Sequence, residues 1–180
     1  GSSRTKLAST RKGVGEALAS KIKREEGSIA LYSKILQNSG VMISNHNIIG
    51  ALNDGLSAVC EVPQGFSLGI NHGLAFPYCT SRECTILQAM SDMGVHPHYL
   101  GNTMMVVRTY PIRVGNIVNE DGIVIGDSGP CYHDQHETTF EALGVEPELT
   151  TVTKRVRRIF TWSKNQYQLA CSINRPTCTM

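Results

Sequence analysis

The stretch TMMVVRTYPIRVG, residues 103–115, indicates the fold class more clearly than any other part of the sequence. It is a nearly continuous run of apolar and β-branched residues with few polar interruptions, which is typical of a strand buried on both faces of a sheet. We therefore predict one continuous strand over these residues, inside a sheet.

Helical and strand patterns alternate on both sides of this stretch. Ala17, Leu18 and Ile22 have helical spacing, and the apolar run that ends before Pro63 is typical of a buried strand. Ser163 is a suitable N-cap for the last helix. The alternation predicts an α/β fold with some parallel strands and with functional loops at the carboxyl ends of the strands. The predicted helices are 13–36 (one or two helices), 85–94, 137–144 and 163–174, and the second predicted strand is 57–62.

The composition predicts one soluble globular domain. Of 180 residues, 41% are hydrophobic and 18% are charged, a balance that allows a buried core and excludes a disordered chain. No apolar run approaches the ~20 residues of a membrane helix, and residues 1–10 lack the apolar centre of a signal peptide. We therefore expect a cytoplasmic protein.

The net charge of +2 is unevenly distributed along the chain. Lysine and arginine dominate the first 26 residues and the segment after Glu148, whereas Arg82 is the one cation between residues 35 and 107. Two basic ends around a nearly neutral middle predict a fold that brings the ends together around an anion.

Cysteine and histidine spacing gives no indication of a disulfide framework or a metal site. The cysteines are irregularly spaced, so we predict free thiols. His96 and His98 flank a proline, and without a third ligand nearby this arrangement predicts a turn and no metal. The six cysteines are Cys60, Cys79, Cys84, Cys131, Cys171 and Cys178.

Polar residues in the predicted loops outline a pocket for an anion. Gln64, Asn71 and His72 follow the strand at 57–62 together with three glycines, and Thr80 comes soon after. Glycine lets the backbone approach a ligand closely, and threonine, serine and arginine donate hydrogen bonds to phosphate or carboxylate. The pocket lacks an obvious general base. The loops concerned are 61–73, 77–85, 126–132 and 150–158.

The stretch TTVTKRVRRIFTW, residues 150–162, contains the densest group of cations. Such a cluster could bind nucleic acid, bind a small anion or face water. If the backbone is extended, Arg155 and Arg157 lie on one side, and Lys154 and Arg158 lie on the other, at the surface or behind the site. The chain lacks the interleaved aromatic residues of nucleic-acid-binding modules, so the pattern favours a small anion.

Four blocks of the sequence resemble the adenylosuccinate synthetase family, in the family's order. They correspond to the family's G-T-T-G-R-G-I-G segment, to E-G-A-Q-G followed by D-H-G-x-x-P-Y-V-T-S, to a strand and loop of its archaeal and phage branch, and to T-T-G-R-R-R-R-T-G-W. Residues 1–180 are therefore identified as the central part of a domain of this family. The blocks are ASTRKGVGEALASKIKR (8–24), CEVPQGFSLGINHGLAFPYCTS (60–81), RTYPIRVGN with SGPCY (108–132) and TTVTKRVRRIFTW (150–162).

The resemblance implies an α/β, P-loop NTPase-like fold with a mostly parallel central sheet flanked by helices, incomplete because the phosphate-loop segment is absent. It also implies GTP-dependent ligation of L-aspartate to a purine nucleotide. The nucleotide is IMP or, in a phage version, dGMP, which gives 2-aminoadenylosuccinate. In the family, GTP and Mg²⁺ are used to phosphorylate the purine 6-oxygen, and aspartate then displaces that phosphate.

The resemblance also implies roles for residues that bind the nucleotide. Thr10 matches a threonine that holds the nucleotide 5′-phosphate, with Ser9 beside it, and Thr80 matches another ligand of this phosphate. Gln64 matches a glutamine beside the bound nucleotide. Arg24 matches an arginine that reaches the neighbouring subunit's nucleotide site, which implies a homodimer; from the residues alone, Arg24 could equally end the solvent face of its helix.

The family's aspartate-binding loop matches residues 150–157. Within it, Arg155 would contact the nucleotide substrate, and Arg157 would serve both aspartate and the GTP phosphates. The implied aspartate-binding residues are Thr150, Thr151, Val152, Thr153, Lys154, Arg155, Val156 and Arg157.

Several motifs of the family have no counterpart in these 180 residues. They are the glycine-rich phosphate loop with its catalytic aspartate, the N-A-G-H-T motif with its acid histidine, and the guanine-binding Lys-x-Asp element. We therefore expect the catalytic base and acid outside this chain. Asn71 replaces the family's aspartate, so Asn71 and His72 are predicted to be structural. A non-catalytic nucleotide-binding remnant and one piece of a split enzyme remain alternatives.

Overall fold

A computed structural model describes residues 6–8, 13–25, 38–40 and 48–180. The helices in this part of the chain are α1 Val14–Lys23, α2 Ile48–Asn53, α3 Ile86–Met93 and α4 Lys164–Asn174. The strands are β1 Lys6–Leu7, β2 Met104–Met105, β3 Ile112–Arg113, β4 Ile117–Val118, β5 Val124–Asp127, β6 Glu137–Thr138, β7 Arg158–Phe160 and β8 Cys178–Thr179. Single 3₁₀ turns are formed by Phe66–Leu68 and Pro97–Tyr99.

The described strands form three small sheets, with the orders β1-β5-β4, β3-β7-β6 and β2-β8. The β1–β5 and β2–β8 pairs are parallel, and the other pairs in the described ranges are antiparallel. The predicted α/β class with parallel strands is confirmed. Where we expected one mostly parallel sheet, the described strands form one mixed, one antiparallel and one parallel sheet. Short connections such as the turn between β4 and β5 join antiparallel neighbours.

The prediction of one continuous strand over residues 103–115 is wrong. This stretch contains β2 and β3, which pair with different partners, β8 and β7. Val106, Arg108 and Tyr110 lie between them and are exposed, and Pro111 has no N–H to continue a ladder. The apolar run is therefore divided between two separate strands. Composition alone does not predict this division.

Two further element predictions are wrong. Residues 57–62 form no strand, and Val59 is 99% exposed. Residues 137–144 form no α-helix: they begin as β6, paired with β7, and continue as turns to Gly144, at φ 66°. Successive threonines favour extended backbone, and pairing with a buried strand outweighs the helix preference of the residues that follow.

Helices α3 and α4 confirm the predictions for their segments. The side chains of Thr85 and Ser163 cap them by accepting N–H groups from Gln88 at 3.3 Å and from Gln166 at 2.9 Å. Gly94 ends α3 in the left-handed region at φ 67°, where glycine has no Cβ penalty. These capping residues lie next to the helices that they begin or end, which explains why the sequence predicts both helices.

Three other expectations have outcomes in the described residues. Helix α1 confirms the beginning of the predicted helix at 13–36, whereas residues 26–36 lie outside the described residues. His96 accepts the His98 N–H at 3.1 Å and starts a turn, as predicted. All six cysteines are free thiols, and burial raises the pKa of Cys84 to about 11.

Strand β7 lies at the centre of its sheet and supplies the best-buried part of the core. Ile159 and Phe160 are 5% and 1% exposed, and Phe140 packs in the same core. Burying a side chain of this size stabilises a fold by about 1.5–3 kcal/mol. The basic segment at 150–157 leads directly into β7, so its position is fixed by well-packed structure.

Candidate functional site

Residues 150–157 form a closed turn followed by extended backbone. Thr150 is fully buried; its N–H donates to the carbonyl of Arg155 at 2.9 Å, and its Oγ1 accepts the Arg155 N–H at 3.0 Å. The hydroxyl of Thr153 lies 2.6 Å from the same Oγ1. Thr150 therefore shapes the turn from inside, and its hydroxyl is used by protein groups.

Side-chain burial alternates along the extended part of this segment. Lys154 occupies the turn, with φ 52°, and is exposed. Arg155 and Arg157 are half-buried, whereas Val156 between them is exposed, as the predicted alternation requires. The Nε of Arg155 donates to Oγ1 of Thr153 at 3.2 Å. Two half-buried arginines therefore flank one exposed valine on this short segment.

Glu148 anchors Arg157, a role that the sequence analysis did not identify. Its Oε2 accepts a hydrogen bond from Nη1 of Arg108 at 2.8 Å, and its Oε1 lies 3.1 Å from Nε of Arg157. The N–H of Arg157 does not point at that oxygen, so this second contact is an ion pair without a hydrogen bond. The carboxylate thus holds two arginines beside the turn.

Arg158 lies behind the segment, which excludes the surface position allowed by the sequence. Its side chain is 15% exposed, and its Nε and Nη2 form a bidentate pair with Glu137 at 2.8 and 2.7 Å. Nη1 donates to the carbonyl of Gly129 at 2.7 Å and to the hydroxyl of Ser128 at 2.9 Å. The hydrogen bonds to Glu137 raise the pKa of Arg158. Its guanidinium also lies 5.0 Å from the ring centre of Phe160.

Gln64 and Thr80, both expected near the nucleotide, lie on adjacent turns. Gln64 precedes the 3₁₀ turn Phe66–Leu68, and the N–H of Thr80 donates to the carbonyl of Leu68 at 2.8 Å. The side-chain oxygen of Gln64 is buried and has no hydrogen-bond partner among the described residues. A buried acceptor without a protein partner can accept a hydrogen bond from water or from a ligand.

The remaining predicted nucleotide-binding residues belong to the N-terminal part of the chain. Ser9 and Thr10 lie outside the described residues. Ala8, directly before them, donates its N–H to the carbonyl of Asp127 at 2.9 Å. Arg24 caps the end of α1 at φ 57° and is exposed. Exposure at a helix end fits both alternatives that the sequence left open for Arg24, so its contact with a second subunit stays a prediction.

Glu83 is a buried carboxylate that sequence reasoning missed. It accepts the N–H groups of Asn71 and Cys84 at 2.9 and 2.8 Å and lies 3.2 Å from Nδ1 of His72. Burial by itself would raise the pKa of Glu83, but these contacts outweigh burial and hold the pKa below its ordinary value. A Cβ at Gly69 would overlap the carboxylate. Glu83 therefore fixes the loop before Thr80 through the backbone of Asn71 and the ring of His72.

Comparison with known proteins identifies the family of this site. Residues 26–179 match the family model described as adenylosuccinate synthetase. The chain belongs to the adenylosuccinate synthetase family. Two relatives, the N6-succino-2-amino-2′-deoxyadenylate synthases of Acinetobacter phage SH-Ab 15497 and Salmonella phage PMBT28, are 38% and 41% identical over 96% of this chain and 51% of their own length. The adenylosuccinate synthetase of Archaeoglobus fulgidus is 31% identical over 71% of this chain and 34% of its own length.

A solved member of the family has a similar fold. It is the cyanophage S-2L succinoaminodeoxyadenylate synthetase bound to dGMP and to dATP as an energy donor. The TM-score is 0.74 at 34% identity, and the match covers 96% of this chain and 50% of that chain. The chain thus spans about half the length of these phage relatives.

The described residues suit anionic ligands better than a metal ion. Guanidinium, hydroxyl and amide groups recognise phosphate and carboxylate oxygens, whereas Mg²⁺ requires oxygen ligands such as carboxylates. Within the described ranges, no group of three or more His, Cys, Asp or Glu side chains could hold a metal. None of the described helices is long and apolar enough to cross a membrane.

Proposed function

We propose that the complete gene product joins L-aspartate to dGMP and forms N6-succino-2-amino-2′-deoxyadenylate. One observation carries this choice of substrate: the phage synthases are 37% to 41% identical to this chain, whereas the archaeal adenylosuccinate synthetases are 28% to 31% identical. In this reaction the amine nitrogen of aspartate replaces the 6-oxygen of the guanine base.

The segment at 150–157 supplies groups that suit the aspartate carboxylates. Arg155 and Arg157 provide two guanidinium groups, and each can donate paired hydrogen bonds to a carboxylate. We assign aspartate to the segment 150–157, in which the buried Thr150 holds the turn from inside. Arg155 is proposed to contact the nucleotide as well, and Arg157 to contact the GTP phosphates. The half-buried position of both arginines supports this assignment, because a partly desolvated guanidinium binds an anion more strongly than an exposed one.

The nucleotide is assigned to the turns that carry Gln64 and Thr80. The buried, unpartnered oxygen of Gln64 can accept an N–H from the nucleotide, and Thr80 can donate its hydroxyl to the 5′-phosphate. Ser9 and Thr10 are proposed as further phosphate ligands. Arg24 is proposed to complete the nucleotide site of a second subunit in a homodimer.

We propose GTP as the energy donor and Mg²⁺ as its metal, in a cytoplasmic enzyme. Phosphorylation of the 6-oxygen turns a poor leaving group into a good one, and cations at the phosphates stabilise the charge that develops. Because the cyanophage S-2L relative is described with dATP as an energy donor, dATP is the alternative donor. The catalytic base and acid are assigned to no residue of this chain.

An assay of the purified complete gene product tests this proposal. L-Aspartate, MgCl₂ and either GTP or dATP are supplied with dGMP, IMP or GMP in separate reactions, and products are identified by mass spectrometry. We expect N6-succino-2-amino-2′-deoxyadenylate from dGMP, with kcat/KM at least about tenfold above that for IMP. A preference for IMP would overturn the assignment of dGMP as the substrate and leave the proposed ligase activity standing. Absence of product from all three nucleotides would overturn the proposed ligase activity.

A further inference from the structure

Residues 127–130, which we name the junction loop, contact several segments that carry proposed substrate-binding residues. The first contact is to the N-terminal strand: the carbonyl of Asp127 accepts the N–H of Ala8 at 2.9 Å. Ala8 is followed in the chain by Ser9 and Thr10. The junction loop therefore anchors the strand that leads to two proposed phosphate ligands.

The second contact is to the segment that carries Thr80. Gly129, at φ 94°, lies so close to Tyr78 that a Cβ on the glycine would overlap the tyrosine side chain. Arg113 joins the same segments, because its Nη2 donates to the carbonyl of Tyr78 at 2.9 Å and its Nη1 to the carbonyl of Pro130 at 3.1 Å. The junction loop and the Thr80 segment are thus held together by close packing and by a shared arginine.

The third contact is made by Arg158, which directly follows Arg157 and lies opposite Arg113 in the β3–β7 ladder. Its Nη1 contacts a carbonyl, a hydroxyl and a carboxylate oxygen of the junction loop at 2.7, 2.9 and 3.4 Å. Its other two nitrogens bind Glu137. Since all three nitrogens of the guanidinium have acceptors in the protein, the side chain is suited to hold structure in place, not to bind a substrate.

We propose that Arg158 is a positioning residue, which sets the spacing between the aspartate segment at 150–157 and the nucleotide-binding segments through the junction loop. This inference rests on the proposed function, which assigns the two substrates to those segments. Bond formation requires the aspartate nitrogen to lie within attack distance of the purine C6. A displacement of about 1 Å between groups that each still bind their ligand can lower the rate about hundredfold.

The test compares Arg158→Lys with Arg175→Lys in the complete gene product. Lysine keeps the charge at position 158 but lacks the planar fork that binds Glu137 and the junction loop together. Arg175 is an exposed arginine at the end of α4 and serves as the matched control. For Arg158→Lys we expect kcat to fall about tenfold to hundredfold, with the KM for aspartate and for dGMP within about threefold of wild type. Arg175→Lys is expected to change neither constant.

A purely structural role predicts a different outcome, in which the unfolding temperature falls and the folded fraction keeps its kcat. Glu137→Gln is a second variant in case Arg158→Lys does not fold, because it preserves side-chain size and weakens the bidentate pair; we expect a smaller fall in kcat. Unchanged kcat in either folded variant, or a raised KM at unchanged kcat, would overturn the positioning role and leave the proposed function standing. An inactive wild-type protein would overturn the proposed function, and this inference with it.

Discussion

Arg157 is the residue on which the proposed recognition of aspartate most depends. It is half-buried beside the turn at 150–154, and the carboxylate of Glu148 holds it together with Arg108. A guanidinium that is already oriented loses less side-chain freedom when it binds. Glu148 therefore restricts the Arg157 side chain before an anionic ligand binds. Its negative charge also reduces the electrostatic repulsion between Arg108 and Arg157.

Replacing Arg157 with alanine should weaken aspartate binding selectively. A hydrogen bond to a charged group contributes about 1.5–3 kcal/mol, so we expect the KM for aspartate to rise about tenfold to hundredfold, and the KM for GTP to rise as well. The KM for dGMP should change little. Steady-state kinetics of Arg157→Ala, with Arg175→Ala as the control, measures these constants. An unchanged KM for aspartate would remove Arg157 from the aspartate site.

For single residues, the sequence predicted those features that depend on neighbouring positions in the chain. The alternation of Arg155 and Arg157 follows from the two-residue period of extended backbone. The partners of Arg158 could not be predicted in this way, because Glu137 lies 21 residues away and meets it across the β6–β7 ladder. Glu83 was missed for a related reason, since nothing in its own sequence neighbourhood indicates that its carboxylate is buried.

At the scale of elements, the beginning of α4 depends on two polar side chains. Ser163 accepts the Gln166 N–H at 2.9 Å and donates its hydroxyl to Asp134 at 2.6 Å, and Asp134 also accepts the Asn165 N–H at 3.0 Å. The hydrogen bond from Ser163 is the main reason why the pKa of Asp134 falls to about 2. A carboxylate at this end also interacts favourably with the helix dipole.

Ser163→Ala should lower the free energy of unfolding by about 1 kcal/mol at neutral pH, because the helix loses its N-cap. The pKa of Asp134 is lower in the folded protein than in the unfolded chain, so its stabilising contribution is present above about pH 4 and is lost as the pH falls toward 2. The difference between wild type and variant should therefore shrink below about pH 4. Urea denaturation across this range measures it, with the exposed Ser172→Ala as the control. If the difference in the free energy of unfolding between wild type and Ser163→Ala does not change with pH, the coupling of Ser163 to Asp134 is contradicted.

A helix or strand could be predicted when the residues that specify it lie close together in the sequence. Helices α3 and α4 carry their own caps at Thr85 and Ser163, so their limits follow from the sequence. Strands β2 and β3 are two residues long and exist because β8 and β7 pair with them. Such a strand is specified by its partner, so the apolar run at 103–115 suggested one long strand where the fold uses two short ones.

At the scale of the whole molecule, the two basic ends approach the same loop, as the distribution of charge suggested. Ala8, in the N-terminal part, and Arg158, in the C-terminal part, both bind residues 127–130. The sequence pattern could predict this approach but not the loop that mediates it. The roles of individual residues came from the family resemblance, because an anion pocket described by composition alone does not distinguish aspartate from a phosphate.

The proposed homodimer makes a prediction about shared sites. If Arg24 completes the nucleotide site of the neighbouring subunit, a dimer of Arg24→Ala with Arg157→Ala has one site that retains both arginines and one that lacks both. Random pairing of equal amounts would make half of the dimers mixed, so about one quarter of wild-type activity should return, although each variant alone is nearly inactive when aspartate and dGMP are both at low concentration. Co-expression with two different affinity tags isolates the mixed dimer and allows its activity to be measured. A mixed dimer no more active than the mean of the two separate variants would place Arg24 in its own subunit's site or outside any site.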